Sequence, residues 1–130
     1  MKNTSYTIER ADKLNNETHY IDNDEHLIFE SIKNIYYFHF IKTNDITSLF
    51  KICALYKKKF KRIHEDIINY SLEALNAREH PDAVVYYCLS VINNKERTQA
   101  LELIDFARNK IKQQNCLALL SIFEGVLYWR

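Results

Sequence analysis

One glycine and one proline occur in 130 residues, and that scarcity excludes more than any motif present suggests. Glycine supplies the positive backbone angles of tight hairpins and the close backbone approach of phosphate loops. With Gly125 alone, the chain holds no dinucleotide fingerprint, Walker loop or nucleophile elbow, each of which needs at least two glycines at fixed spacing. The five histidines, His19, His26, His39, His64 and His80, include neither an HExxH motif nor a pair at a chelating spacing. The three cysteines, Cys53, Cys88 and Cys116, are odd in number and far apart. They fit neither a disulfide framework nor a metal knuckle, and read as reduced core residues behaving as small hydrophobes. No apolar run is long enough to span a bilayer, because the stretch from Cys116 to Trp129 is interrupted by Ser121, Glu124 and Gly125. The opening Met1–Tyr6 carries no apolar signal core. These readings predict a cytoplasmic protein that is not an enzyme, with no cofactor, no metal and no membrane association.

Hydrophobic residues make up 47% and aromatic residues 13% of the chain, enough for a real core. Lysine and arginine number 18 against 17 acidic residues, so bulk charge selects no partner, and a polyanion binder is usually more basic. The excess of Asn, Ile, Lys and Tyr matches AT-rich codon usage. Apolar residues recur at helical steps throughout. Ile8, Ala11 and Leu14 predict a short helix behind Thr4 or Ser5, although Tyr6-Thr7-Ile8 also suits an extended segment, and residues 1–20 are expected to be loosely ordered. Asp22–Glu25 has the composition of a helix start, and Ile28, Ile32, Ile35, Tyr36 and His39 form the face that follows. Thr43-Asn44-Asp45 starts the next helix, with Ile46, Leu49, Phe50, Cys53, Tyr56 and Phe60 in phase. The stripe continues through Ile63, Ile67 and Ser71, and a break is expected between Lys57 and Lys61, since an unbroken helix over 44–77 is too long for a small domain. His80-Pro81 separates it from a helix facing inward through Val84, Tyr87, Cys88 and Val91. A further stripe of Ala100, Leu103, Ile104, Ala107 and Ile111 follows Asn93 and Glu96. Asn115 opens a last segment that is apolar on nearly every side, the mark of a buried helix, in which Gly125 suits close helix contact. The expected fold is all-α: one domain over 1–130, a compact bundle of five to seven helices with a buried C-terminal helix and Trp129 in the core.

Few residues carry chemistry. His64-Glu65-Asp66 has the composition of a general base with orienting carboxylates, but adjacent helical residues point apart, which favours a polar helix face. Cys88 lacks the cationic surroundings of a thiolate nucleophile. The basic run Lys57, Lys58, Lys59, Lys61 and Arg62 around Phe60 fits a solvated helix C-terminus, a phosphate clamp, or contact with an acidic protein or local segment. Its counterpart is Glu17, Asp22, Asp24, Glu25 and Glu30, with no lysine or arginine among them. Such a segment suits a helix start or the steering of a basic partner. Tyr36, Tyr37, Phe38 and Phe40 cannot share one helix face, so some of these rings are expected either beneath a second neighbour or on the surface as binding anchors.

In size, helicity, lack of chemistry, AT-rich composition and the acidic Glu17–Glu30 segment, the chain resembles the small immunity proteins paired with bacterial toxins, including those of contact-dependent growth inhibition. The resemblance implies capture of a cognate toxin domain, often a nuclease, and blockage of its active site or substrate approach. The near-zero net charge departs from many acidic nuclease inhibitors. Two other classes remain open: a viral Bcl-2-like host-interaction protein and a helical nucleic-acid-binding regulator using Lys57–Arg62.

Overall fold

The computed structural model describes the backbone of residues 4–21 and 25–129, with side chains from Ile8 onward. Among the described residues there are seven helices and no strand. They are α1 (Thr4–Glu17), α2 (Glu25–Thr43), α3 (Ile46–Phe60), α4 (Ile67–Ala77), α5 (Pro81–Asn94), α6 (Arg97–Arg108) and α7 (Gln114–Trp129). No helix among the described residues is long and apolar enough to cross a membrane. The helices group into two compact units, Met1–Arg62 and Ile63–Arg130.

In the first unit, α1 packs on α2 and α2 on α3. The Thr4 or Ser5 cap lies outside the described side chains, and Asp22–Asp24 lies outside the described residues. Asp45 caps α3 as the sequence predicts, its carboxylate accepting the Thr47 N–H at 3.0 Å. The scarcity of glycine leaves its mark on the turns. Tyr20, Asn44 and Lys61 take the left-handed conformation at φ 56°, 58° and 59°, which costs about 1–3 kcal/mol for a residue with a side chain. Lys61 ends α3 where the break is expected, its N–H donating to the Lys57 carbonyl at 2.9 Å.

The inward face of α2 differs from expectation. Phe29, Ile32, Tyr36 and Phe40 are buried, whereas Ile28, Ile35 and His39 are half-buried. Phe29 is the centre of this core. The rings of Tyr56, Phe60 and Tyr20 meet it edge-on at 5.1, 5.8 and 6.3 Å between centroids, the arrangement favoured by the ring quadrupole. Phe38 points outward, with the Lys42 ammonium 5.3 Å from its centroid.

In the second unit, α5 packs on α4, α6 and α7, and α6 also packs on α7. Val84, Tyr87, Cys88 and Val91 are all buried as their spacing predicts, as are Ala100, Ile104, Ala107 and Ile111, whereas Leu103 of the same predicted stripe is half-buried. Pro81 opens α5 behind His80, whose ring rather than a Ser or Asp caps the helix: Nδ1 accepts the Asp82 N–H at 3.0 Å. Glu79 reaches from the loop before α5 to the start of α7 and accepts the N–H groups of Lys112 and Gln113 at 2.8 Å each.

The expectation of a last helix buried on nearly every side does not hold. α7 buries Cys116, Leu120 and Leu127 and leaves Ile122, Val126, Tyr128 and Trp129 exposed, Trp129 to 92%. α5 and α6 pack against it and cover one stripe. Nor does Gly125 serve a close contact among the described residues of this chain: a Cβ added there meets nothing within 4 Å.

Candidate functional site

The two charged segments singled out in the sequence converge within the first unit. α1 ends without a basic residue in its last turn, leaving its negative pole without a cation of its own. Lys58 of α3 supplies one, hydrogen-bonding the Asn15 carbonyl, with its ammonium 5.7 Å from the Tyr20 centroid. Thr18 completes this end through its hydroxyl, which donates to the Leu14 carbonyl at 2.8 Å. Lys61 donates to the carbonyls of Lys58 at 2.8 Å and His19 at 3.4 Å. Lys59 hydrogen-bonds His26 Nδ1 and lies 4.4 Å from the Phe29 centroid, a cation–π contact. Burial pulls the Lys59 ammonium below its ordinary 10.5; Glu30 opposes the shift and Lys33 adds to it.

Of the five cations, Lys58, Lys59 and Lys61 therefore lean onto the segment Asn15–Phe29, while Lys57 and Arg62 are also exposed at the end of α3. The acidic residues divide as well. Glu17 is exposed. Glu25 accepts the Ile21 N–H at 2.7 Å and so caps the approach to α2. Glu30 pairs with Lys33 at 3.1 Å. Asp22 and Asp24 lie outside the described residues. The Tyr20 hydroxyl, held among these groups, is pushed up to about 12 by burial and then by Glu25, and it donates to Asn15 Oδ1 at 3.0 Å.

His64, Glu65 and Asp66 perform separate tasks. His64 Nδ1 accepts the Asp66 N–H at 3.0 Å in the turn before α4, and Glu65 forms an ion pair with Lys95. All three cysteines are free and buried. Burial pushes the Cys53 and Cys88 thiols up to about 12 and also raises Cys116. Among the described residues, no group of three or more His, Cys, Asp or Glu is arranged to hold a metal ion.

One polar cluster escaped the sequence reading. Asp12, Tyr36 and Lys51 meet in a small hollow shared with Asn15, Asn16 and Ala54. The Tyr36 hydroxyl donates to Asp12 Oδ1 at 2.6 Å, and Lys51 donates to Oδ2 at 2.7 Å. Its members come from three helices and are separated by 24 and 39 residues, so no local spacing announces them. The cluster ties α1 to α2 and α3. Neither a family model, nor a characterised protein, nor a solved structure matches this chain.

Proposed function

We propose that this chain is a partner-capturing inhibitor of the immunity type, which binds a protein, a cognate toxin domain, and neutralises it by covering its active site or the approach of its substrate. The reading places it in the cytoplasm, where such a toxin acts. What supports it is the mixed-charge end of the first unit. Lys58, Lys59 and Lys61 are drawn onto carbonyls, an imidazole and aromatic faces. Glu17, Lys57 and Arg62 are exposed in the same segments. A surface of both signs is suited to another protein's mixed surface, where charge complementarity sets partner choice and association rate. A polyanion binder needs a more continuous positive stripe.

The test is co-expression with each polypeptide encoded beside it, one of which the proposal requires to be toxic. The chain should restore growth against that toxin, co-purify with it as a stoichiometric complex, and leave unrelated toxins active. Absence of both rescue and co-purification overturns the proposal. Tight binding to a nucleic-acid duplex that weakens steeply with salt would replace it with the regulator reading.

A further inference from the structure

The only glycine in the chain occupies the middle of α7, where glycine is among the poorest helix formers. Nothing within the described residues requires it, since an added Cβ has open space. The surface around it is unusual too. Ala118, Ser121, Ile122, Val126, Tyr128 and Trp129 are all exposed and none is charged. The one charged residue of α7, Glu124, is turned to Arg108 of α6 at 3.1 Å. A face of this kind, with a tryptophan 92% exposed, marks a contact surface.

The order of residues specifies the occupant. Ala118, Ile122, Gly125 and Trp129 follow each other at steps of four, three and four, the seam of a two-helix coil. When two copies of α7 lie antiparallel, with a two-fold axis level with the Phe123–Glu124 peptide, each large residue meets a small one. Trp129 then faces Ala118 of the second copy, Ile122 faces Gly125, and Val126 faces Ser121. This size match is self-complementary, as an isologous interface requires. Gly125 is explained by the approach of the second copy's Ile122.

We propose that the outer face of α7 is a self-association surface that pairs two copies of this chain antiparallel through Ala118, Ile122, Gly125 and Trp129. Its strength follows from its area. Exposure of Ile122 at 61%, Val126 at 44% and Trp129 at 92% amounts to roughly 400 Å² a copy on ordinary side-chain areas. The total of about 800 Å² lies below the ~1,200–2,000 Å² of stable complexes, so the dimer is a weak one.

Sedimentation of this chain over a concentration series up to about 1 mM, where weak association becomes visible, tests this. The wild type should pass from monomer to dimer and stop there. Trp129→Ala should remain monomeric over the whole range. Gly125→Ala separates the proposal from simple surface stickiness: it should raise Tm, because it improves a helix and meets no neighbour in the monomer, yet weaken the dimer about tenfold. The pair Ala118→Trp with Trp129→Ala exchanges the large and small members of one layer and should restore association. A wild type that stays monomeric overturns the proposal, as does a Gly125→Ala variant that dimerises like the wild type. A double variant no better than Trp129→Ala alone overturns the antiparallel register.

Discussion

The Tyr36 hydroxyl donates to the Asp12 carboxylate at 2.6 Å, joining α2 to α1 across 24 residues of sequence. Tyr36 is buried, and burial followed by the hydrogen bond to Asp12 raises its hydroxyl well above the ordinary value. Removing only the donor, in Tyr36→Phe, should cost about 1–1.5 kcal/mol, because Asp12 keeps Lys51 as a partner. Asp12→Ala leaves the phenol without its acceptor and should cost more, about 2–3 kcal/mol. The ion pair itself adds little to either figure, since Lys51 and Asp12 are each more than a third exposed at the side chain. Urea unfolding midpoints rank the two variants. A smaller loss in Asp12→Ala than in Tyr36→Phe would remove the cluster from its role as a tether.

Glu79 couples the start of α7 to acidity. The N–H groups of Gln113 and then Lys112 hold its carboxyl below the ordinary 4.5. A depressed folded value means that the carboxylate contributes stability above pH 4.5, and that this contribution fades as pH falls through the lower folded value. Glu79→Gln should lower Tm at neutral pH and flatten the loss of Tm below pH 4.5. Identical acid limbs in the two proteins, followed by circular dichroism, would contradict the assignment.

His80 tests a cap made by an imidazole. Asn in its place offers an acceptor to the Asp82 N–H and should keep stability within a few tenths of a kcal/mol, whereas His80→Ala should lose about 1 kcal/mol. Equal denaturation midpoints for the Asn and Ala variants would show that the ring nitrogen contributes nothing.

The buried thiols predict slow chemistry. Cys53 and Cys88, both pushed up to about 12, should resist a thiol reagent in the folded protein at mildly alkaline pH, with Cys116 also slow. All three should label rapidly once the chain is unfolded in urea. Immediate labelling of any one of them in the native state would place it in an accessible, cation-flanked setting.

Where polar and apolar residues alternate clearly, the fold was legible. The faces of α5 and α6 follow from spacing, because each helix has a polar side that fixes its phase, and the break near Lys61 follows from the length an unbroken helix would have. α2 and α7 are apolar on several sides, so periodicity establishes a helix without saying which stripe faces inward. That ambiguity exchanged Ile28, Ile35 and His39 for Phe29 and Phe40, and it placed Trp129 in the core. The charged segments were visible as segments. Contact of the basic run with a local segment was one of the alternatives, but the atoms that meet were not legible, since Lys58 finds the Asn15 carbonyl across 43 residues. The His80 cap was hidden for a different reason: histidine is not among the usual capping residues.

The proposed function requires charge-guided capture of a protein through the Glu17–Glu30 segment and the basic run beside it. The most direct measurement is the association rate of the purified chain with a polypeptide from a neighbouring gene that it protects against, as the proposal requires, taken at low and at physiological salt. Reversing charge at Glu17, Asp22 and Asp24 to lysine, and leaving Glu25 to cap the approach to α2, should keep the helical spectrum unchanged and slow association about tenfold or more at low salt, with the difference shrinking as salt screens it. Unchanged association kinetics in the variant at low salt would contradict the account.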